Sequence, residues 1–166
     1  GNSLDAPAAI GEAGVKRVVA VADWHPNAGT AAPASERLPQ ANAAASDAYY
    51  AAFRARFPAA HDDYALARID VMVEMLADAI SRAHSTDALA VAKALEGAKF
   101  ENGFVHAWMR ADDHQLIQPL YVIEMDKAGT PGVRFDNEGS GYGFRTVLAL
   151  PPGQTKSASE CRMKRP

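Results

Sequence analysis

Val15-Lys16-Arg17-Val18-Val19-Ala20-Val21-Ala22-Asp23-Trp24-His25-Pro26-Asn27-Ala28-Gly29 turns from an apolar run into a polar, aromatic loop. Its first half, rich in valine and alanine, predicts a strand of the largely apolar kind that a parallel sheet buries on both faces. Pro26, Asn27 and Gly29 break that strand. In an open α/β sheet, the residues just past the carboxyl end of a strand stand where ligands bind. Asp23, Trp24 and His25 are therefore the first binding candidates. A carboxylate beside an indole can hold an ammonium group by charge and by cation–π attraction. The competing reading is a structural loop in which Trp24 covers an apolar edge.

Upstream, residues 4–13 predict a short helix, with Asp5 as cap, Pro7 in the first turn and Gly14 as stop. Downstream, 30–42 has no periodicity and predicts a long loop or crossover. Asn42 or Ser46 can open a helix that runs to about Phe57, where Pro58 closes it. Tyr49, Tyr50, Phe53 and Phe57 form an aromatic stripe on it, which is expected to be core, although Tyr49 can also offer a hydroxyl to a ligand. The strongest helical pattern spans about 63–83. Ala65, Ile69, Met72, Leu76 and Ala79 define its inward face, widened by Leu66, Val73 and Ile80, and Asp62 or Asp63 caps it. Tyr64 stands at its start, where its hydroxyl can reach a ligand. Arg68, Glu74, Asp78 and Arg82 are expected in solvent, and so is Asp70, although the apolar Ile69 and Val71 flank it. A shorter helix begins at Asp87 and stops at Gly97.

Beyond Phe100 the pattern changes to strands and turns. Strands are expected over 105–110, 120–125 and 144–150, joined by polar turns at 111–115 and 126–132, with an irregular tail after Pro152. Asp112, Asp113 and His114 lie together, but adjacent carboxylates in a turn diverge and no metal-binding motif is present. Their expected role is to cap the turn through backbone N–H groups. Gly139-Ser140-Gly141-Tyr142-Gly143 lacks the strand-then-helix setting of a phosphate loop.

Composition narrows the function classes. The 166 residues (17.7 kDa) suit one average domain or a piece of a larger one, and 35 alanines imply a thin-walled, helix-favouring core. A net charge of −3 argues against a nucleic-acid binder. No run of apolar residues is long enough to span a membrane. The start carries no basic region followed by an apolar stretch, as in an exported protein whose leader has been removed. Cys161 alone cannot build a disulfide within the chain. It is either an inert thiol or half of a disulfide whose partner lies outside this chain. No nucleophile–base pair with an orienting third group and no GxSxG elbow is present, so no catalytic set is assigned.

The stretch from Tyr49 to Glu124 resembles the substrate-binding proteins of branched-chain amino acid ABC transporters. Phe53-Arg54-Ala55-Arg56-Phe57-Pro58 is similar to their aromatic helix end. Tyr64-Ala65-Leu66-Ala67-Arg68-Ile69-Asp70-Val71 is similar to their tyrosine–alanine then tyrosine–aspartate–alanine helix start, with Ile69 where tyrosine is usual. Ala79-Ile80, Thr86-Asp87, Val91-Ala92, Ala94-Leu95-Glu96 and Phe100 follow the same plan. Met109-Arg110-Ala111-Asp112-Asp113-His114-Gln115 with Gln118-Pro119-Leu120-Tyr121-Val122 resembles the family's arginine-x-x-aspartate-histidine-glutamine signature and the strand after it. The ending from Cys161 to Pro166 resembles family C-termini.

The resemblance implies an α/β fold, the C-terminal portion of a type 1 periplasmic binding protein, with Rossmann-like three-layer lobes and incomplete on its own. Residues 1–60 would be part of lobe two, with helix, strand, ligand-side loop and aromatic helix. Residues 61–100 would form a helical pair and crossover, 101–150 the strands and crossover completing the lobes, and 151–166 a C-terminal tail. The implied function is extracytoplasmic, in the periplasm for a bacterial cell: capture of an amino acid, amide or urea-like molecule in an interlobe cleft, without bond chemistry or cofactor. The implied partners are ABC permease membrane subunits and the N-terminal remainder of the same protein, whose precursor would carry a signal peptide. Asp23 would answer a positive group, Trp24 would shape the wall and His25 would support the loop. Asp113, His114 and Gln115 would mark the fold. The alternative is a sensory or regulatory ligand-binding domain of the same fold acting through a partner protein.

Overall fold

The computed structural model describes residues 6–29 and 43–159. In chain order the elements are α1 (Ala6–Ile10), β1 (Val19–Ala22), α2 (Ala43–Arg56), α3 (Ala67–Ala83), α4 (Ala88–Leu95), β2 (Lys99–Glu101), β3 (His106–Met109), β4 (Leu116–Ile117), β5 (Leu120–Lys127), β6 (Tyr142–Leu150) and α5 (Pro152–Thr155). Turns of 3-10 helix occupy Gly11–Gly14 and Ala60–Asp62. The expectations at Asp5, over 30–42 and at Cys161 lie outside the described residues.

The α/β class holds, with two three-stranded sheets ordered β1-β5-β6 and β2-β3-β4. Every strand pairing among the described residues is antiparallel. This corrects the expected parallel strand over 15–22. β1 is only four residues long, pairs Val21 with Val122, and lies at a sheet edge. Its period of two turns Ala20 and Ala22 inward and leaves Val19 and Val21 at 57% and 59% exposure. Ala22 belongs to the same apolar cluster as Trp24 and Tyr121, and Ala20 packs against it.

α2 keeps its aromatic stripe inward: Tyr50 is buried, and Tyr49 and Phe53 pack against the core. α3 departs from expectation in two ways. It begins at Ala67, and neither Asp62 nor Asp63 caps it; its N-cap position is Leu66, without a side-chain bond. Asp63 is instead drawn into the interior, where it accepts the Tyr50 hydroxyl (2.9 Å) and the Glu138 amide (3.0 Å). The buried stripe is Ala67, Val71, Met75 and Ala79, four residues apart. Ile69, Met72, Val73 and Leu76, expected inside, are 47–61% exposed.

α4 forms as its ends dictate. Asp87 accepts the Leu89 and Ala90 amides, and Gly97 follows the helix at φ 71°. β2 arises where the helical part was expected to end, β4 lies between the expected turn at 111–115 and the expected strand at 120–125, and β6 begins two residues before the predicted strand. One apolar cluster joins α2, α3 and both sheets, running from Ala22 and Trp24 through Tyr50, Val71 and Phe100 to Tyr121 and Ile123.

Candidate functional site

The loop after β1 is held from behind by buried side chains. Trp24 points into the core, 5% exposed, where its indole N–H donates to Ser46 Oγ (2.9 Å) and its ring meets Tyr49 edge-on at 5.3 Å. His25 is also buried, with Nε2 2.8 Å from Thr146 Oγ1 and its ring edge-on to Tyr121. Burial lowers its pKa to about 3, against a smaller opposing effect of the Phe144 carbonyl. Asn27 completes the hold. Its amide NH2 donates to the carbonyls of Phe135 and Phe144, and its carbonyl accepts the amides of Arg134 and Phe135.

Asp23, by contrast, reaches the helical side of the loop. Its carboxylate forms an ion pair with Arg68 Nε at 3.4 Å, in the first turn of α3. The two ends of this pair differ in exposure: 13% for Asp23 and 50% for Arg68.

Beside that turn, a groove of about 420 Å³ opens between α2 and α3. Tyr49 and Phe53 come from α2, Tyr64 and Leu66 from the lead-in to α3, and Ile69, Asp70 and Val73 from α3 itself. Tyr64 is half-exposed, with Phe53 5.3 Å and Phe57 5.5 Å from its ring. Desolvation, and then the Asp70 charge, raise the pKa of the Tyr49 phenol. An aromatic wall with an apolar floor and one carboxylate can hold a small molecule that is part apolar and part polar.

Asp113, His114 and Gln115 belong to a separate construction at the β3–β4 turn. Arg110 grips Asp113 through Nε (2.7 Å) and an Nη, and also donates to Gln115 Oε1 and to the Ser157 carbonyl. Asp113 accepts the Gln115 amide, as the turn reading expects, and His114 takes φ 56°. The Arg110 guanidinium holds the Asp113 carboxyl well below the usual carboxylate range. His114 is 3.5 Å from Glu96. Among the described residues no group of three or more His, Cys, Asp or Glu converges as metal ligands would.

Of the expected binding residues, Asp23 and Tyr64 both stand near the start of α3, whereas Trp24 and His25 support the loop from within. Sequence reasoning placed Arg68 in solvent and missed its position at this site. The apolar flanks of Asp70, Ile69 and Val71, set it apart in the sequence without assigning it to a site.

The sequence profile of a family described as "Periplasmic binding protein" matches residues 2–130. No curated protein sequence matches the chain. Among solved structures, the chain is similar to a leucine-, isoleucine-, valine-, threonine- and alanine-binding protein from Brucella ovis in its closed conformation. That similarity has a TM-score of 0.69 at 19% identity, over 98% of this chain and 38% of that one. A periplasmic binding protein from Burkholderia mallei is similar with a TM-score of 0.65 at 19% identity, over 95% of this chain and 36% of that one. An amino acid ABC transporter substrate-binding protein from Pseudomonas fluorescens Pf-5 follows with a TM-score of 0.55 at 19% identity, covering 89% and 34%. The chain thus spans little more than a third of the length of these proteins, and over that span it shares their fold.

Proposed function

The chain belongs to the periplasmic binding protein family, and from that premise we propose that it captures an amino acid or related small nitrogenous molecule for an ABC importer. In this reading it works outside the cytoplasmic membrane, delivers its solute to permease subunits, and makes or breaks no bond. The groove beside the start of α3 would form one wall of the ligand cleft, with the N-terminal remainder of the protein supplying the other. Tyr64 would present its ring to the ligand, and the Asp23–Arg68 pair would border the polar end. Trp24 and His25 would fix the Asp23 loop from the core side.

The observation that carries this reading is the family match over residues 2–130, which includes every residue of the groove. Two neighbours add support: the Brucella protein is named for binding five amino acids, and the Pseudomonas protein for amino acid ABC transport. No helix among the described residues is long and apolar enough to cross a membrane.

The test is thermal unfolding of the whole protein, N-terminal remainder included, against a panel of amino acids, their amides and urea. A captured solute at a hundred times its Kd stabilises the folded state by about 2.7 kcal/mol, a readily measured rise in Tm. A folded whole protein whose Tm responds to no member of the panel overturns the reading.

A further inference from the structure

We propose that the outward face of the β1-β5-β6 sheet is the seat of the protein's N-terminal remainder, which lays an apolar surface across Val21, Val122 and Leu148. The proposal does not depend on which solute the groove holds.

The pairing register defines two faces of this sheet. On one, Ala22, Tyr121 and Ala149 form a row and Ala20, Ile123 and Thr146 form the next. Those residues are buried or packed against the core. On the other face, Val21, Val122 and Leu148 form a row, with Leu120 and Leu150 beside it. Val21 and Leu148 are exposed, and Leu120, Val122 and Leu150 are half-buried. Val147, the extra residue where the register of β6 shifts, is exposed too. Charge gathers toward the far end of β5, where Glu124 and Asp126 both lie against Arg145, at 2.6 and 3.9 Å.

An antiparallel sheet with one wet face alternates apolar and polar residues. These strands do not alternate. Val18-Val19-Ala20-Val21-Ala22, Leu120-Tyr121-Val122-Ile123 and Val147-Leu148-Ala149-Leu150 are unbroken apolar runs. Runs of that kind belong to sheets covered on both sides, and here only one side is covered by the described residues. A contiguous apolar row left in water marks an interaction surface.

Length and chain path identify the occupant. The similarity to the Brucella protein takes in 98% of this chain but 38% of that one, so more than half of that protein's length lies outside the shared part. The stretch leading into β1 is itself tied to this sheet. The Lys16 amide donates to the Met125 carbonyl (2.8 Å), and Glu12 pairs with Lys127 (2.9 Å). A segment preceding α1 is therefore delivered to β5, and covalent continuity gives it a high effective concentration there. The central row carries no charge, which suits an apolar layer of the same protein and offers nothing to a charged partner.

The experiment uses the whole protein with its native cysteines, Cys161 among them, replaced by serine and one new cysteine introduced, Val21→Cys or Leu148→Cys. Maleimide labelling is timed in buffer and in urea, at high and low protein concentration. The expected result for both variants is labelling slowed about a hundredfold or more in buffer, at either concentration. Labelling in buffer nearly as fast as in urea puts the face in water and overturns the proposal. Protection that fades on dilution gives the face to a second copy and overturns it as well. The covering segment is then identified without a variant. The whole protein is made with photo-leucine (a diazirine analogue), irradiated and digested, and cross-links from Leu148 are read by mass spectrometry. A peptide from before residue 1, joined within the monomer, is the expected partner. A Leu148 that joins nothing, or joins only peptides within residues 1–166, overturns the proposal. Solute capture stands or falls separately, on the ligand panel above.

Discussion

The imidazole Nε2 of His25 lies 2.8 Å from Thr146 Oγ1, so the loop that carries Asp23 is bonded to the middle of β6. The ring is buried and its pKa is lowered to about 3 from the ordinary 6.5. The folded state therefore holds His25 neutral while the unfolded chain protonates it. Its stabilising effect is fully present above about pH 6.5 and declines by about 1.4 kcal/mol for each pH unit below that, until the folded value is reached. Urea midpoints at pH 8 and pH 5 should differ by about 2 kcal/mol more in wild type than in His25→Gln. An equal drop in both proteins would show that another group sets the acid limb.

Asn27 makes four bonds from one buried side chain, to the backbone of Arg134, Phe135 and Phe144. Asn27→Leu fills similar space but orphans two amides and two carbonyls. Each buried unpaired group costs about 1–3 kcal/mol, so the substitution is expected to unfold the chain or bring it close to unfolding. Asn27→Asp keeps the two acceptor contacts but sets a buried carboxylate oxygen, which cannot donate, against the Phe135 and Phe144 carbonyls, so at neutral pH it should be no milder in chemical denaturation. A midpoint for Asn27→Asp near that of wild type would rule out this division of labour.

Tyr50 donates to Asp63 at 2.9 Å, and both are buried; desolvation, with Asp63 second, pushes the Tyr50 phenol well above its ordinary pKa. Tyr50→Phe removes one bond and should cost about 1–2 kcal/mol. Asp63→Ala should cost more than Tyr50→Phe, because it strands both the Tyr50 hydroxyl and the Glu138 amide. The order of the two midpoints is the readout.

Arg110 ties Asp113, Gln115 and the Ser157 carbonyl into one corner. Lysine cannot reproduce a planar fork, so Arg110→Lys should release the segment after α5 and speed its proteolytic cleavage. The depressed Asp113 pKa adds a stability contribution that is present above the carboxyl's ordinary 3.8 and is lost as pH falls below it. That window lies below the onset of the His25 effect. Asp113→Asn should remove the low-pH component while leaving the His25 slope intact.

The two faces of α3 give a direct test of its orientation. Met75→Ala on the buried stripe should cost about 2–5 kcal/mol. Met72→Ser on the outward side should stay within about 0.5 kcal/mol. Reversed costs would mean that the helix sits with its other side inward.

The features legible in the sequence were those with a local cause. The aromatic spacing of Tyr49, Tyr50 and Phe53 located α2 and its inward side, and Asp87 and Gly97 marked the ends of α4. β1 was legible as a strand but not in its direction, because a run of valine and alanine is equally apolar beside parallel and antiparallel neighbours. α3 was misread because it has apolar side chains all round, and the choice of Val71 over Met72 is made by what it packs against. β2 and β4, three and two residues long, are too short to show a period. At the site, Asp23 and Tyr64 stood out by type and position. The Asp23–Arg68 pair did not, since it joins residues far apart in the chain through tertiary structure alone.

The outward apolar side chains of β1 and α3 also shape the temperature response. Val19, Val21, Met72, Val73 and Leu76 are already wetted in the folded chain, so unfolding exposes little more of them. Newly hydrated apolar surface is the main source of the heat-capacity increment of unfolding. Leaving these side chains outside flattens the stability curve, and a neighbouring segment that covered them would restore its curvature.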